Sequence, residues 1–296
     1  MTLVVVGASL AGLRAVESAR RTGYRGRIVL IGAEEHLPYD RPFHPETVLR
    51  DELGVELVLG APAERLDADA REVTVAGRVV SYDAVVIATG ATARGLPGAR
   101  TLRTAEDAVA VRAALDDGAR TVVVGAGFIG SEVASAARKR GLPVTIVEAA
   151  AVPLARAVGE AAGAELAGLH HAAGTELRLA TEVTGVADDG VRLSTGEVLP
   201  ADLVVAGIGA APATGWLEGS GLTLHERDRS VVCDATLSAG PPGVSAGGTT
   251  LYRRGDRIVG ALTVDRPREI MKYRRRVAAR AAWAWMEEAP AFAGAA

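Results

Sequence analysis

The chain has 296 residues, of which 49% are hydrophobic, enough to bury a core in each of two domains. A net charge of −3 leaves no electrostatic footprint for nucleic acid, and no apolar run is long and unbroken enough to span a bilayer. The single cysteine, Cys233, excludes dithiol chemistry within one chain, because such chemistry needs one thiol to attack and a second to resolve.

The N-terminus enters directly on an apolar strand with no basic leader, the pattern of a cytoplasmic protein. LVVVGASLAG reads as a strand from Leu3 to Val6, a glycine turn and the start of a helix. Gly7 and Gly12 allow a tight turn and close approach to a pyrophosphate at a helix N-terminus, where free N–H groups and the helix dipole favour negative charge. Ser9 stands where the pattern has its middle glycine, and its hydroxyl can donate to a phosphate. Glu34, just past the strand RIVLIG, is the candidate to hold a ribose. AGRVVSYDAVVIATG (76–90) follows, with a glycine turn, a short strand, Asp83 and an apolar run ending at Thr89 and Gly90. TARGLPGAR (92–100) is a Pro/Gly crossover, and TAEDAVAVRAAL (104–115) is an amphipathic helix with an acidic start that suits its dipole.

At Thr121 the opening device returns as TVVVGAGFIG, 118 residues on, with Gly125, Gly127 and Gly130 in the turn and Phe128 and Ile129 opening the helix. Glu148 ends the strand VTIVE, where it can accept from both hydroxyls of a ribose, and no arginine follows at once to welcome a 2′-phosphate. NADH is therefore expected over NADPH. TGEVLPADLVVAGIG (195–209) repeats the plan of 76–90, so that Gly77/Gly196, Asp83/Asp202 and Gly90/Gly209 keep one offset of 119. The expected fold is α/β: two Rossmann-like dinucleotide-binding units, each a parallel sheet with helices plus a small antiparallel meander.

The expected boundaries are 1–100 with 230–250 for the first unit, 101–229 for the second, and 251–296 for a vestigial C-terminal hairpin and helix. SVVCDATL and GVSAGG are expected to close the first sheet, with Cys233 as a small buried residue. The hairpin turns at Arg254, Gly255 and Asp256, and a basic helix capped by Asp265 follows. His170 and His171 read as solvated near a helix end and His225 as a loop residue. No histidine stands at metal-ligand spacing.

These residues together resemble the ferredoxin reductase-like branch of the FAD-dependent pyridine nucleotide oxidoreductases. The resemblance runs through VVVGASLAG, GRIVLIGAEEHLPYDRP, YDAVVIATGA, VVVGAGFIGSEVA, LPADLVVAGIG, VVCDATL and VGALTVDRPREIM. It implies FAD across the first glycine turn, held by Gly7, Ser9, Gly12, Glu34, Arg41, Thr89 and Gly90. NADH would lie across the second, held by Gly125, Gly127, Phe128, Ile129, Gly130, Glu148 and Gly209. Electrons would pass from NADH through flavin to an acceptor such as a ferredoxin, with Glu132 where nicotinamide meets flavin.

Three departures from the family pattern stand out. DRPFHPE places Glu46 where the family has a lysine facing that glutamate, so Glu46 and Glu132 become candidates for shared proton chemistry. Gly248 stands at the place of an aspartate that holds FAD, and segments are missing after Arg50 and near Thr250. They leave a second reading open: a flavin-deficient relative that binds NAD(H) or an adenine nucleotide as a sensor, scaffold or non-redox catalyst.

Overall fold

The computed structural model describes residues 1–39, 53–234, 237–246, 249–254 and 257–263. The chain divides into two compact units: Met1–Gly90 with Pro212–Ala296, and Ala91–Ala211.

The first unit opens with β1 (Thr2–Val6), α1 (Leu10–Arg21), β2 (Arg27–Ile31) and β3 (Val55–Val58). β4 (Ala63–Asp67), β5 (Glu72–Val75) and β6 (Arg78–Ser81) form the expected antiparallel meander, and β7 (Ala84–Ile87) returns to the sheet beside β1. The second unit follows with β8 (Ala91–Ala93), α2 (Ala105–Asp116), β9 (Thr121–Val124), α3 (Phe128–Lys139) and β10 (Val144–Val147). After α4 (Ala155–Val158), α5 (Glu160–Ala172) and β11 (Glu176–Arg178) come the second meander, β12 (Val183–Ala187), β13 (Gly190–Leu193) and β14 (Val198–Leu199), and then β15 (Leu203–Ala206) and β16 (Ala210–Pro212). Back in the first unit lie β17 (Val244–Ala246) and the antiparallel pair β18 (Thr249–Arg254) and β19 (Arg257–Thr263).

The first sheet runs β17-β7-β1-β2-β3 and the second β11-β10-β9-β15, parallel throughout. Central parallel strands are covered on both faces, so they read as unbroken apolar runs. Val4, Val5, Val122 and Val123 are each no more than 2% exposed. Burying each such side chain stabilises by about 1.5–3 kcal/mol.

The repeated aspartates serve as register clamps. Asp83 accepts the Thr2 N–H and so fastens the start of β1 to the start of β7. Asp202 accepts the Arg120 N–H at 2.9 Å and the Arg120 guanidinium through both oxygens at 2.7 Å, doing the same for β9 and β15. The linkers also repeat. The Ala213 N–H donates to Gly90 O, and the Arg94 N–H to Gly209 O, both at 2.9 Å, so the outgoing and returning segments pair in opposite directions.

Three expected placements change. Residues 91–100, assigned from the sequence to the first unit, belong to the second, and residues 212–229, assigned to the second, belong to the first, where Leu217 is 1% exposed among Leu66, Val73 and Val75. The crossovers therefore fall at 90/91 and 211/212, because the returning chain must fill the space over the first meander. Among its described residues, 230–234 and 237, SVVCDATL contributes no strand to the first sheet. Val231 bridges Leu224 in an antiparallel pair, and Cys233 is only half-buried. Residues 264–296, including the basic helix and its cap, lie outside the described residues.

Hydrogen bonds from Arg120 hold the Asp202 carboxyl down at about 2, against an ordinary value of 3.8. A depressed carboxyl stabilises the fold above its ordinary range and loses that contribution as pH falls through it. Urea midpoints of the parent and Asp202→Asn are expected to differ at pH 7, with the gap closing as the pH is lowered from 4 toward 2.

Candidate functional site

Both glycine turns are built on backbone touching backbone. A Cβ on Gly12 would overlap the carbonyl oxygen of Gly7, and one on Gly130 that of Gly125. Gly7 lies equally close to Ala88 O, and a Cβ on Gly125 would meet Gly207 O at 2.6 Å. Gly7 and Gly125 also sit at positive φ, +117° and +100°. These four glycines are demanded by the fold itself.

Gly127 differs. Its φ is −81°, open to any residue, and a Cβ there would meet nothing nearer than Gly207 O at 3.7 Å. The missing side chain thus clears space in front of α3, whose first turn has no side-chain cap and keeps its N–H groups free for an anion. In the first unit Ser9 occupies the corresponding place with φ −115°, exposed, its side chain leaving α1 uncapped as well.

Glu148 follows β10 directly. Its Oε2 accepts the Ala126 N–H at 2.7 Å and its Oε1 the Ala150 N–H at 2.9 Å, which fixes the carboxylate at the strand end with lone pairs to spare. Gly125, Gly127, Phe128, Glu148 and Gly209 line one cleft of about 690 Å³ in the second unit. Gly130 and Ile129 do not line it: Gly130 packs under the turn, and Ile129 is 38% exposed on α3.

The first unit supplies its acid differently. Gly32, not Glu34, corresponds to Glu148: the Gly32 N–H donates to Val58 O and its carbonyl accepts from Ala61, as Glu148 does with Arg178 and Thr181. A Cβ on Gly32 would meet the Ala8 methyl at 2.5 Å, so the carboxylate comes two residues later, from Glu34. Its Oε2 accepts the Tyr39 hydroxyl at 2.7 Å. Thr89 and Gly90 bond to the returning chain, Thr89 Oγ1 donating to Ala213 O at 2.9 Å. Arg41 and Glu46 lie outside the described residues. Glu132 is exposed on α3, where with Phe128, Ser131 and Lys139 it borders a shallow hollow.

Three residues that the sequence did not single out also line the cleft. Arg156 and Glu182 bring charge, and Leu154 has a positive φ of +55°, a conformation costly for a branched side chain. Only Arg156 left a trace in the sequence, as an arginine eight positions past Glu148. Among the histidines, His170 is half-buried rather than solvated, its Nε2 3.2 Å from Ser131 Oγ. Burial first and the neighbouring His171 second lower its pKa below 6.5. No cluster of metal-ligating side chains occurs among the described residues.

The family model for pyridine nucleotide-disulphide oxidoreductases matches residues 1–263. The chain belongs to this family. Ferredoxin reductases are among its relatives. The ferredoxin–NAD(+) reductase component of the p-cumate 2,3-dioxygenase system of Pseudomonas putida is 38% identical over 234 residues, 71% of this chain and 58% of the relative. Rhodocoxin reductase of Rhodococcus erythropolis is 36% identical, covering 83% and 64%. The crystal structure of the ferredoxin reductase for the CYP199A2 system of Rhodopseudomonas palustris, 33% identical, superposes with a TM-score of 0.78 over 83% of this chain and 67% of that one. The chain thus spans less than two thirds of the length of the first two relatives. The chain has a single cysteine, so no disulphide can form within it.

The two kinds of glycine separate by experiment. Gly130→Ala is expected to destabilise the second unit by about 1–3 kcal/mol through overpacking against backbone. Gly127→Ala is expected to leave the melting temperature nearly unchanged while weakening nucleotide binding. Thermal melts and titrations of both variants check this.

Proposed function

We propose that this chain is an NADH-dependent FAD oxidoreductase that passes electrons to a ferredoxin-type acceptor. The observation that carries the reading is the second cleft: an uncapped helix start, a glycine whose only evident purpose is to clear space, and a fixed carboxylate one strand away. The named functions of the ferredoxin reductase relatives support the rest.

In this reading the first-turn N–H groups of α3 bind the pyrophosphate of NADH, and Gly127 and Gly209 let it approach the backbone. Glu148 accepts from the ribose hydroxyls, and its charge repels a 2′-phosphate. The first cradle shares the tight glycine packing and uncapped helix start, so it fits the diphosphate of FAD, with Ser9 donating to phosphate and Glu34 accepting from the ribose hydroxyls. When bound, FAD supplies the step from two-electron to one-electron transfer. Glu132 remains the candidate for the reacting face. A cytoplasmic setting goes with this role, since the enzyme draws on the cell's NADH. Among the described residues no helix is long and apolar enough to cross a membrane.

The test is spectroscopic. Protein purified with FAD present is expected to show flavin absorbance that bleaches on anaerobic addition of NADH. A colourless protein that still binds NADH would instead favour the flavin-deficient reading. NADH is expected to bind at least about tenfold more tightly than NADPH, a gap of about 1.4 kcal/mol. Glu148→Ala is expected to narrow that gap, as read by titration of each nucleotide.

A further inference from the structure

The end of the second sheet orders its loops as a nucleotide orders its parts. Along β9, β10 and β11 the strands are neighbours, and their C-terminal ends lead into the glycine turn, Glu148 and residues 179–183 in turn. Strands stand about 4.8 Å apart. A dinucleotide with its pyrophosphate at the first loop and its ribose at the second therefore carries its base to the third.

Two polar side chains of this third loop line the cleft, and since the Thr181 hydroxyl donates to Leu179 O at 2.9 Å, the one left for a ligand is that of Glu182. It lines the same cleft as Gly127 and Glu148 and is exposed. Among the described residues its carboxylate makes no hydrogen bond or ion pair. Its backbone, by contrast, is pinned on both sides. The Thr181 N–H donates to Glu148 O at 3.0 Å, the Glu182 N–H to Ser194 Oγ at 3.2 Å, and the Ser194 N–H to Glu182 O at 2.8 Å. Val152 and Val183 line the cleft nearby and provide apolar contact for a flat ring. The arrangement holds a bare acceptor on a fixed backbone beside apolar walls.

We infer that Glu182 reads the base of the bound nucleotide by accepting a hydrogen bond from its exocyclic amino group, making this loop selective for adenine. An ionised carboxylate can only accept. The amino group of adenine offers it a donor, whereas the exocyclic carbonyl oxygen of hypoxanthine, at the same position, offers lone pairs and is repelled. This inference deepens the NADH reading of the cleft and rests on it.

The probes are NADH and its hypoxanthine analogue, titrated calorimetrically into the parent, Glu182→Ala and Glu182→Gln. The exposed position and the retained backbone bonds keep both variants folded. The parent is expected to bind NADH about tenfold more tightly than the analogue, the value of one charge-assisted hydrogen bond. In Glu182→Ala the ratio is expected to fall toward one, chiefly through weaker NADH binding. In Glu182→Gln, whose amide can both accept and donate, it is expected to fall as well. A parent that binds NADH but does not discriminate, or a ratio unchanged in Glu182→Ala, overturns the role of Glu182 alone. A parent that binds neither nucleotide overturns the NADH reading of the cleft and this inference with it.

Discussion

The structure depends on two places where main chain rests on main chain with no side chain between. In each unit the helix after the glycine turn starts so close to it that the last glycine abuts the carbonyl of the first, and the first abuts the end of a neighbouring strand. This contact sets the tilt of the helix against the sheet. It follows that the free N–H groups of the first turn point along the strand ends rather than into solvent at large. The cleft, the place of Glu148 and the room before Gly127 are all consequences of that approach.

Around this common part the units diverge, and the divergence is mostly about where acid can stand. After β10 a side chain is tolerated at once, and Glu148 bends back to the turn it serves. After β2 the methyl of Ala8 closes the equivalent place, so the carboxylate comes from Glu34 and is held by Tyr39 instead of by main-chain amides. A carboxylate held by backbone moves only with the fold. One held by a tyrosine can change its partner when that ring turns, so the two carboxylates differ in stiffness as well as in sequence.

Much of this was legible in the residues. The glycine spacing, the parallel strands, both meanders and the repeated aspartates each follow from local patterns, and their offsets of 118 and 119 residues mark the duplication. Other features had no local signal. Whether Gly32 or Glu34 corresponds to Glu148 depends on a methyl group across the turn, which spacing cannot show. The run SVVC has the apolar alternation of a strand, yet the sheet edge is taken by Val244–Ala246, and Val231 finds Leu224 instead. Residues 212–229 carry no composition shift to mark a boundary. Only the core under Leu217 decides to which unit they belong. Glu182 was silent because an exposed glutamate in a loop is ordinary until the strands on either side are known.

The paired linkers carry a consequence for how the chain can be cut. Thr92 Oγ1 lies 3.4 Å from Ala211 O, so the two ends of the second unit stand side by side. Ends that meet are the mark of an inserted cassette, whose excision leaves a short gap to rejoin. Residues 91–211 thus begin and end side by side, and their ends can be joined head to tail without stretching the backbone.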